Sequence, residues 1–297
     1  MGKKNGLVLL VLVLLLAGGF YYWRHSHNAS GEPRVATVRT PSEPRVHGGA
    51  NSVLTAPSTL PSANDRNEAA VAPPEASFHP RSGETLEFAA NVPKLNSTLA
   101  KLKIAIAERR SLDSKSSWHL QAFAHTENPY RMVFELDDQF DSYSDPATLT
   151  SLQYEMHLSE RGQKSDSVQR LLPSGRDTAP PGVTAARVLP GTRDPLGLLL
   201  FLRGTDWNKT SEVRSPVYDG RKLYDVRATL AGRGQQVTVP AGKFTASKIE
   251  IHVFENGAES KDAHFLLYLS DDISRTPVLL EAVLPVATAR VELLKAE

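Results

Sequence analysis

The sequence predicts a mainly β protein, in which an antiparallel meander forms a curved sheet or barrel-like domain with one short buried helix. Three observations lead to this fold class. Apolar and polar residues alternate with a period of two in several segments, as in strands with one buried face. Turn-forming Asp-Gly and Pro-Ala-Gly groups separate the later segments. One apolar run begins with the signals of a capped helix.

Three segments carry the alternation most clearly. In each of them apolar residues occupy every second position, with mostly polar or small residues between them, so that one face of the strand is apolar. Strands of this kind belong to antiparallel sheets with one solvated face. The apolar positions are Leu102, Ile104 and Ile106; Leu152, Tyr154, Met156 and Leu158; and Ile249, Ile251 and Val253.

Turn signals in the C-terminal half predict that strands adjacent in the chain are adjacent in the sheet. The Asp-Gly pair at 219–220 favours a two-residue type I′ turn, which would put Arg214 opposite Asp225. A second turn is expected at 231–234 and a third at 240–242. Together these turns predict a meander.

One short helix is expected where a long apolar run follows Asp194. The Asp194 side chain can cap this helix, Pro195 suits its first position, and Gly204 can end it. So apolar a segment must be buried, and we expect it to plug one end of the curved sheet. A buried strand is the alternative, because short apolar runs do not distinguish the two.

Residues 1–23 are predicted to be a transmembrane anchor or an uncleaved signal. The stretch 7–23 contains no charged residue and, at about 1.5 Å of rise per residue, is just long enough to cross a bilayer core. Lys3 and Lys4 before it favour a cytoplasmic N-terminus, and the aromatic residues at 20–23 suit the far interface. The alternative is a signal peptide that is cleaved, so that the remaining chain is secreted.

Residues 24–82 are predicted to be a disordered, proline-rich linker, and residues 83–297 a single β-rich domain. The linker contains few large apolar residues, and these show no periodicity that would let them form a core. We therefore expect a single-pass inner-membrane protein whose C-terminal domain lies in the periplasm.

Four stretches of the predicted domain form a distinctive series, Asp138–Leu149, Asp194–Arg203, Val237–Lys248 and Tyr268–Val278. In their order and spacing the chain resembles the bacterial family called domain of unknown function 3108, over most of residues 83–297. The Val-Pro-Ala-Gly-x-Phe segment at 239–244 is the most distinctive piece, whereas Tyr268 stands where a tryptophan is usual. The resemblance implies an exported envelope protein with a β-rich domain. It implies no catalytic residue, because the family has no assigned reaction.

His252 and His264 are the candidate metal ligands. Aligning Ile251 with Phe265 on neighbouring strands puts His252 directly opposite His264, with Cβ atoms roughly 5 Å apart, which is close enough for one zinc ion. Glu250 shares their face, but a third ligand is not evident from the sequence. Two solvated histidines on a polar face are the simpler expectation.

Other polar groups are expected to have structural roles. His119 and His125 would share one strand face about 20 Å apart, which is too far to share a metal. The acids at 137–138 would point to opposite faces of a strand, and those at 271–272 would accept hydrogen bonds from turn amides. The sequence therefore predicts no catalytic residue, no metal site and no cofactor.

The composition excludes several classes of function. Lys and Arg number 34 against 33 Asp and Glu, so the chain lacks the basic excess of a nucleic-acid binder. It has no cysteine, which excludes disulfides, iron–sulfur clusters, thiol nucleophiles and the acylated cysteine of a lipoprotein. Common catalytic and phosphate-binding motifs are absent from the sequence.

We therefore expect a membrane-anchored, non-catalytic binding or scaffold module. Its partner would be an apolar envelope component, such as a lipid, or another envelope protein. The alternative is an exported hydrolase, metal-assisted through His252 and His264. A further alternative is a structural role, in which an exposed edge of this protein's sheet pairs with a strand from another protein.

Overall fold

The computed structural model describes residues 80–93, 97–173, 178–283 and 288–297. The predicted anchor and the predicted linker up to residue 79 lie outside these ranges. Among the residues described, no helix is both long enough and apolar enough to cross a membrane.

Most of the described residues belong to β-strands, and one α-helix lies between the eighth and ninth strands. The strands are β1 (Thr85–Val92), β2 (Ser97–Ile106), β3 (Arg110–Leu112), β4 (Lys115–Thr126), β5 (Asp137–Ser144), β6 (Ser151–Glu160), β7 (Gln163–Leu172), β8 (Thr184–Arg187), β9 (Glu212–Tyr218), β10 (Leu223–Val239), β11 (Gly242–Glu255), β12 (Ala258–Ser270), β13 (Pro277–Val283) and β14 (Thr288–Ala296). The helix is α1 (Pro195–Gly204).

These strands form a single curved sheet in the order β8-β7-β6-β5-β4-β2-β1-β14-β13-β12-β11-β10-β9, and β3 pairs with β4 beside that path. The pairing of β1 with β14 brings the first and last strands together and joins two meanders. Only β7 and β8 pair in parallel along the path. The mainly β, largely antiparallel architecture predicted from the sequence is confirmed.

The two edge strands, β8 and β9, are not joined by a ladder in the described part of the sheet; instead Arg193 connects to β9. The Arg193 amide donates to the Pro216 carbonyl at 3.0 Å, and the Tyr218 amide donates to the Arg193 carbonyl at 2.8 Å. Gln169 on β7 also reaches this seam, since its amide donates to the Gly220 carbonyl and accepts from the Tyr218 hydroxyl. A short backbone bridge and one side chain therefore hold the two edges near each other.

The apolar residues of the alternating strands meet on the inner face of the sheet and form one continuous core. In β2, Leu102 and Ile104 are buried whereas Lys101 and Lys103 are exposed. The apolar positions predicted in β6 and β11 are also buried, except Leu152 and Val253, which are half-buried. The largest fully buried apolar side chains come from strands and helix alike, and include Phe140, Tyr154, Leu200, Phe201 and Ile249.

Helix α1 begins where the sequence predicts, because Asp194 caps it. One oxygen of Asp194, Oδ1, accepts the Gly197 amide at 2.9 Å, and the other, Oδ2, accepts the Ser142 hydroxyl at 2.6 Å. Gly197 permits this close packing, since a Cβ there would lie 2.5 Å from the Ser151 hydroxyl oxygen. These contacts fix the N-terminal end of α1 against β5 and β6.

The other end of α1 is fixed by a buried ion pair. Arg203 Nη2 donates to Glu84 Oε1 at 2.7 Å, and each of the two side chains is only 5% exposed. Arg203 also donates to the carbonyl oxygens of Ser274 and Arg275, in the loop after β12. Because Glu84 precedes β1 and the capped end lies at β5 and β6, the helix crosses one end of the curved sheet, as expected.

The predicted type I′ turn between β9 and β10 is wrong. Tyr218 pairs with Leu223, so four residues form the loop rather than two. The Asp219 carboxylate accepts the amides of Arg221 and Lys222 at 2.8 and 2.7 Å. These hydrogen bonds between a side chain and the backbone stabilise the longer loop.

The longer loop shifts the register by two residues, so Arg214 lies opposite Arg227 rather than Asp225. This juxtaposition of like charges is relieved on both sides. Arg214 pairs with Glu212 at 3.0 Å, and Arg227 lies over the ring of Phe254 at 5.2 Å.

The turn predicted at 231–234 is also wrong, because β10 continues through these residues. Its register with β11 shifts twice between Leu230 and Gln235, so the glycines occupy bulges instead of a turn. The turn expected at 240–242 does form and joins β10 to β11.

Glu84→Gln is expected to lower the free energy of unfolding by about 3 kcal/mol, because it leaves the buried Arg203 charge without its partner. The double variant Glu84→Leu, Arg203→Met should recover most of that loss, and urea denaturation measures both. Arg214→Met, which removes an exposed ion pair, is the control and should cost less than about 1 kcal/mol. A loss in Glu84→Gln no larger than in the control would contradict this role of the pair.

Candidate functional site

The structure brings together the histidines that the sequence singled out. His252 on β11 lies directly opposite His264 on β12, and their rings stack with centroids 4.9 Å apart at 21°. Glu250 converges on both: its Oε1 is 2.8 Å from His264 Nε2, and its Oε2 is 3.9 Å from His252 Nε2. The three ligand atoms lie within 4.8 Å of one another. Glu250 is thus the third candidate ligand that the sequence placed on this face but did not make evident.

A buried histidine network on β4 and β5 was missed from the sequence. His119 is 2% exposed, its Nε2 donates to Asp141 at 2.6 Å, and its ring stacks on Tyr143 at 4.5 Å. Burial alone would raise the pKa of Asp141, but hydrogen bonds from His119, Gln139 and Gln121 outweigh it and lower that pKa. As expected, His119 lies far from the exposed His125 on the same strand. In the sequence, this network is visible only as polar residues at alternate positions of β4 and β5. Which of these residues meet depends on the register between the two strands.

A second group that could hold a metal extends this network, namely Asp141, Glu155 and His157. Its members already have close partners. Gln153 donates to Glu155 at 2.6 Å, and His157 Nδ1 pairs with Asp166 at 2.8 Å. Because Asp141 already accepts three side-chain hydrogen bonds, this group is best described as a cross-strand polar network.

The acids at 137–138 point to opposite faces, as predicted. Asp137 is exposed and pairs with Arg131, which lowers the pKa of Asp137. Asp138 is 5% exposed and accepts the Ser159 amide at 2.9 Å. Burial raises the pKa of Asp138 to about 7, and the neighbouring Glu160 carboxylate adds to the rise.

Of the acids at 271–272, Asp272 has the structural role that was expected. It accepts the amides of Ser274 and Arg275 at 2.8 and 3.1 Å, which closes the loop after β12. The carboxylate of Asp271 instead accepts the hydroxyl of Ser247 on β11 at 2.7 Å. Asp271 therefore links the end of β12 to the neighbouring strand.

Arg193 is a buried cation that the sequence analysis did not identify. It is 1% exposed, and burial lowers its pKa to about 10. Its guanidinium lies 3.7 Å above the Phe201 ring and donates to the Ser215 hydroxyl and the Thr148 carbonyl. Arg193 thereby fastens α1 and β9 at the seam of the sheet.

An apolar recess lies between α1 and strands β1, β2 and β4. Leu86, Ile104 and Leu200 line it, with the Glu84–Arg203 ion pair at one side. The space in the recess that a water molecule can occupy is only about 10 Å³. Pockets that bury drug-sized ligands usually measure about 300–1,000 Å³, so this recess is far too small for such a ligand.

A short turn between β4 and β5 presents two exposed apolar side chains. Met132 is 86% exposed and Val133 is 74% exposed. The turn is held on both sides, because Tyr130 packs against the core and Arg131 pairs with Glu135. We call Met132 and Val133 the apolar tip.

Residues 91–294 match the model of a family described as "Protein of unknown function (DUF3108)". No curated protein matches the chain.

Several solved structures are similar to this chain at low identity. A β-barrel-like protein of domain of unknown function DUF1849 from Brucella abortus has 10% identity and a TM-score of 0.45, covering 73% of this chain and 97% of that one. The hypothetical protein CT021 from Chlamydia trachomatis has 9% identity and a TM-score of 0.33, covering 73% and 87%. With TM-scores this low, neither structure indicates a function for this chain.

The raised pKa of Asp138 predicts a stability that falls as pH rises. Between the unfolded pKa, about 3.9, and the folded pKa of about 7, the folded state holds a proton that the unfolded state has lost. The free energy of unfolding should therefore fall by up to about 4 kcal/mol across this interval. Burial also raises the pKa values of Asp194 and Glu160, so both add to the fall in the wild type. Asp138→Asn should therefore make the fall clearly smaller without abolishing it, as measured by urea denaturation at pH 4 to 8.

Asp137→Asn is the matched control for that series, since Asp137 is the exposed neighbour whose pKa is lowered. This variant should retain the fall with rising pH. A wild-type protein equally stable at pH 4.5 and 7.5, or an unchanged profile in Asp138→Asn, would contradict the assignment.

Proposed function

This chain belongs to the DUF3108 family of proteins of unknown function, and we propose that it is a membrane-tethered envelope protein whose β domain is a non-catalytic docking module for another protein. In this proposal residues 1–23 anchor the chain in the inner membrane, residues 24–82 form the tether, and residues 83–297 act in the periplasm.

The packed interior carries the proposal. Among the residues that the structure describes, large apolar side chains from the strands and from α1 pack into one continuous core, and the recess beside α1 has room for only about one water molecule. A β domain that carries a lipid needs an enclosed cavity of several hundred Å³. A filled interior instead favours recognition on the outer surface.

Opening the interior would require α1 to leave its position. That movement would break the Asp194 cap, separate Arg203 from Glu84 and expose the side chains that α1 buries. Exposing one buried Leu or Phe side chain costs about 1.5–3 kcal/mol. Helix α1 buries several, so an open state would be rare without a strong compensating ligand. This cost weighs against the apolar-ligand form of the binding function.

The apolar tip is the part of the outer surface best suited to docking. Met132 and Val133 extend from a turn that is fixed by its neighbours, so little conformational entropy is lost when a partner covers them. Met132 and Val133 are adjacent in the chain, so a partner would cover both side chains together.

The charged side chains near the tip largely balance one another. Arg131 pairs with Glu135 and Asp137, and Glu127 pairs with Lys101. Without a basic excess the tip has little attraction for an anionic lipid surface, which supports a protein as the partner.

An exported, metal-assisted hydrolase is the second candidate function. The observation that favours it is the convergence of Glu250 on both histidines. It depends on the metal site argued in the next subsection and also requires a substrate cleft beside that site.

The first prediction of the docking proposal concerns lipid. A protease site is inserted into the tether of the full-length protein, which is expressed so that it inserts into the membrane. The protease then releases the β domain, and native mass spectrometry measures its mass. The expected mass is that of the polypeptide alone. A stoichiometric lipid adduct would contradict the docking function and favour a carrier.

The second prediction concerns the tip. A photo-crosslinking residue at Met132 or Val133 should give a discrete protein adduct in intact cells, and Met132→Glu should abolish the adduct formed from Val133. The same probe at Lys115, an exposed polar position, is the control and should give none. Adducts to lipid alone, or equal adducts from all three positions, would contradict docking through the tip.

A further inference from the structure

We propose that Glu250, His252 and His264 bind one divalent transition-metal ion of the zinc class on the outer face of β11 and β12. This site is independent of docking at the apolar tip, so either proposal can fail without the other.

The ligand atoms are already close to the arrangement that a metal requires. Zinc holds nitrogen and oxygen ligands at about 2.0–2.1 Å, so tetrahedral ligand atoms lie about 3.3 Å apart. Glu250 Oε1 is 2.8 Å from His264 Nε2, and the other oxygen, Oε2, is 3.9 Å from His252 Nε2. One ligand atom from each of the three residues lies within 4.8 Å of the others. Small side-chain rotations would complete the geometry, because the paired strands hold all three Cα atoms in place.

A second carboxylate prepares His252 for a metal. The Nδ1 of His252 is 2.5 Å from Glu259 Oε1, so this nitrogen holds the proton and donates it. The other nitrogen, Nε2, lies on the side of Glu250, and in the neutral ring it carries the lone pair that binds a metal. A carboxylate bonded to the far nitrogen is the usual support of a metal-bound histidine.

The same contact orients the ring of His252. With Nδ1 bonded to Glu259, the Nε2 atom lies on the side of Glu250, which is the position from which it would bind a metal.

The chemistry of the ligands selects the class of ion. Two imidazole nitrogens and one carboxylate suit zinc and its neighbours, whereas calcium and magnesium prefer oxygen ligands. Glu250 and Glu259 together offset the charge of a divalent ion. The nearest cation on β10, Arg227, lies opposite His252 but is placed over the Phe254 ring.

The site would keep one coordination position open. The three side chains are 21 to 35% exposed, so solvent can reach the metal. Three protein ligands and one water form the typical open zinc site. Bound metal would also link β11 to β12 through side chains, next to their backbone pairing.

Cobalt titration of the full-length, detergent-purified protein tests the site. One equivalent of Co²⁺ should give the strong visible absorption of a four-coordinate ion, and Zn²⁺ should displace it. His264→Gln and Glu250→Gln should abolish this absorption, and Glu259→Gln should weaken Co²⁺ binding about 10- to 100-fold. Circular dichroism of the metal-free variants should match the wild type, because the side chains are partly exposed.

His157→Gln is the matched control, since His157 belongs to the other group that could hold a metal. It should bind Co²⁺ as the wild type does. Histidines within residues 1–79 are present in every variant, so binding through them would persist in His264→Gln. The proposal is overturned if the wild type gives no four-coordinate absorption, if that absorption survives in His264→Gln, or if His157→Gln alone removes it.

Discussion

The crossing of α1 over one end of the sheet is the constraint on which the rest of the structure depends. The helix is fixed at its first turn by the buried carboxylate of Asp194 and at its last turn by the ion pair of Arg203 with Glu84. Both sets of contacts join distant parts of the chain, since Glu84 lies at the start of β1 and Ser142 on β5. Between these anchors the leucines and Phe201 of the helix complete the core. Packing and hydrogen bonds therefore replace the disulfides that this cysteine-free chain cannot form.

Because the inner face is committed to packing, chemistry and recognition are left to the outer face and the loops. Two polar networks lie on the outer face, one around Asp141 and one around Glu250. The Asp141 carboxylate is buried and already accepts three side-chain hydrogen bonds, whereas the Glu250 group is partly exposed and its members converge on one point. The two clusters are similar in composition but are assigned different roles, because they differ in solvent exposure and in the hydrogen bonds that their carboxylates already accept.

The sequence predicted those features that depend on local pattern. Period-two alternation identified β2, β6 and β11, and the Asp194-Pro195 pair identified the start of α1. Alternation also predicted that His252 lies opposite His264, because aligning the apolar residues of β11 with those of β12 fixes the pairing of the two strands.

The sequence did not predict features in which two local interactions compete. The Asp219 side chain stabilised a longer loop than Asp-Gly suggested, and the glycines after Leu230 became bulges because pairing with β11 continues past them. Contacts between distant segments, such as β1 with β14 or His119 with Asp141, have no local signal at all.

Hydrogen exchange of the α1 amides in the full-length protein tests the central claim most directly. If α1 is a permanent part of the core, the amides of residues 198–204 should exchange as slowly as those of β1 and β14, because both would open only on global unfolding. Exchange of the helix that is far faster than that of those strands would mean that the plug opens on its own. That result would contradict the filled interior as the basis of function.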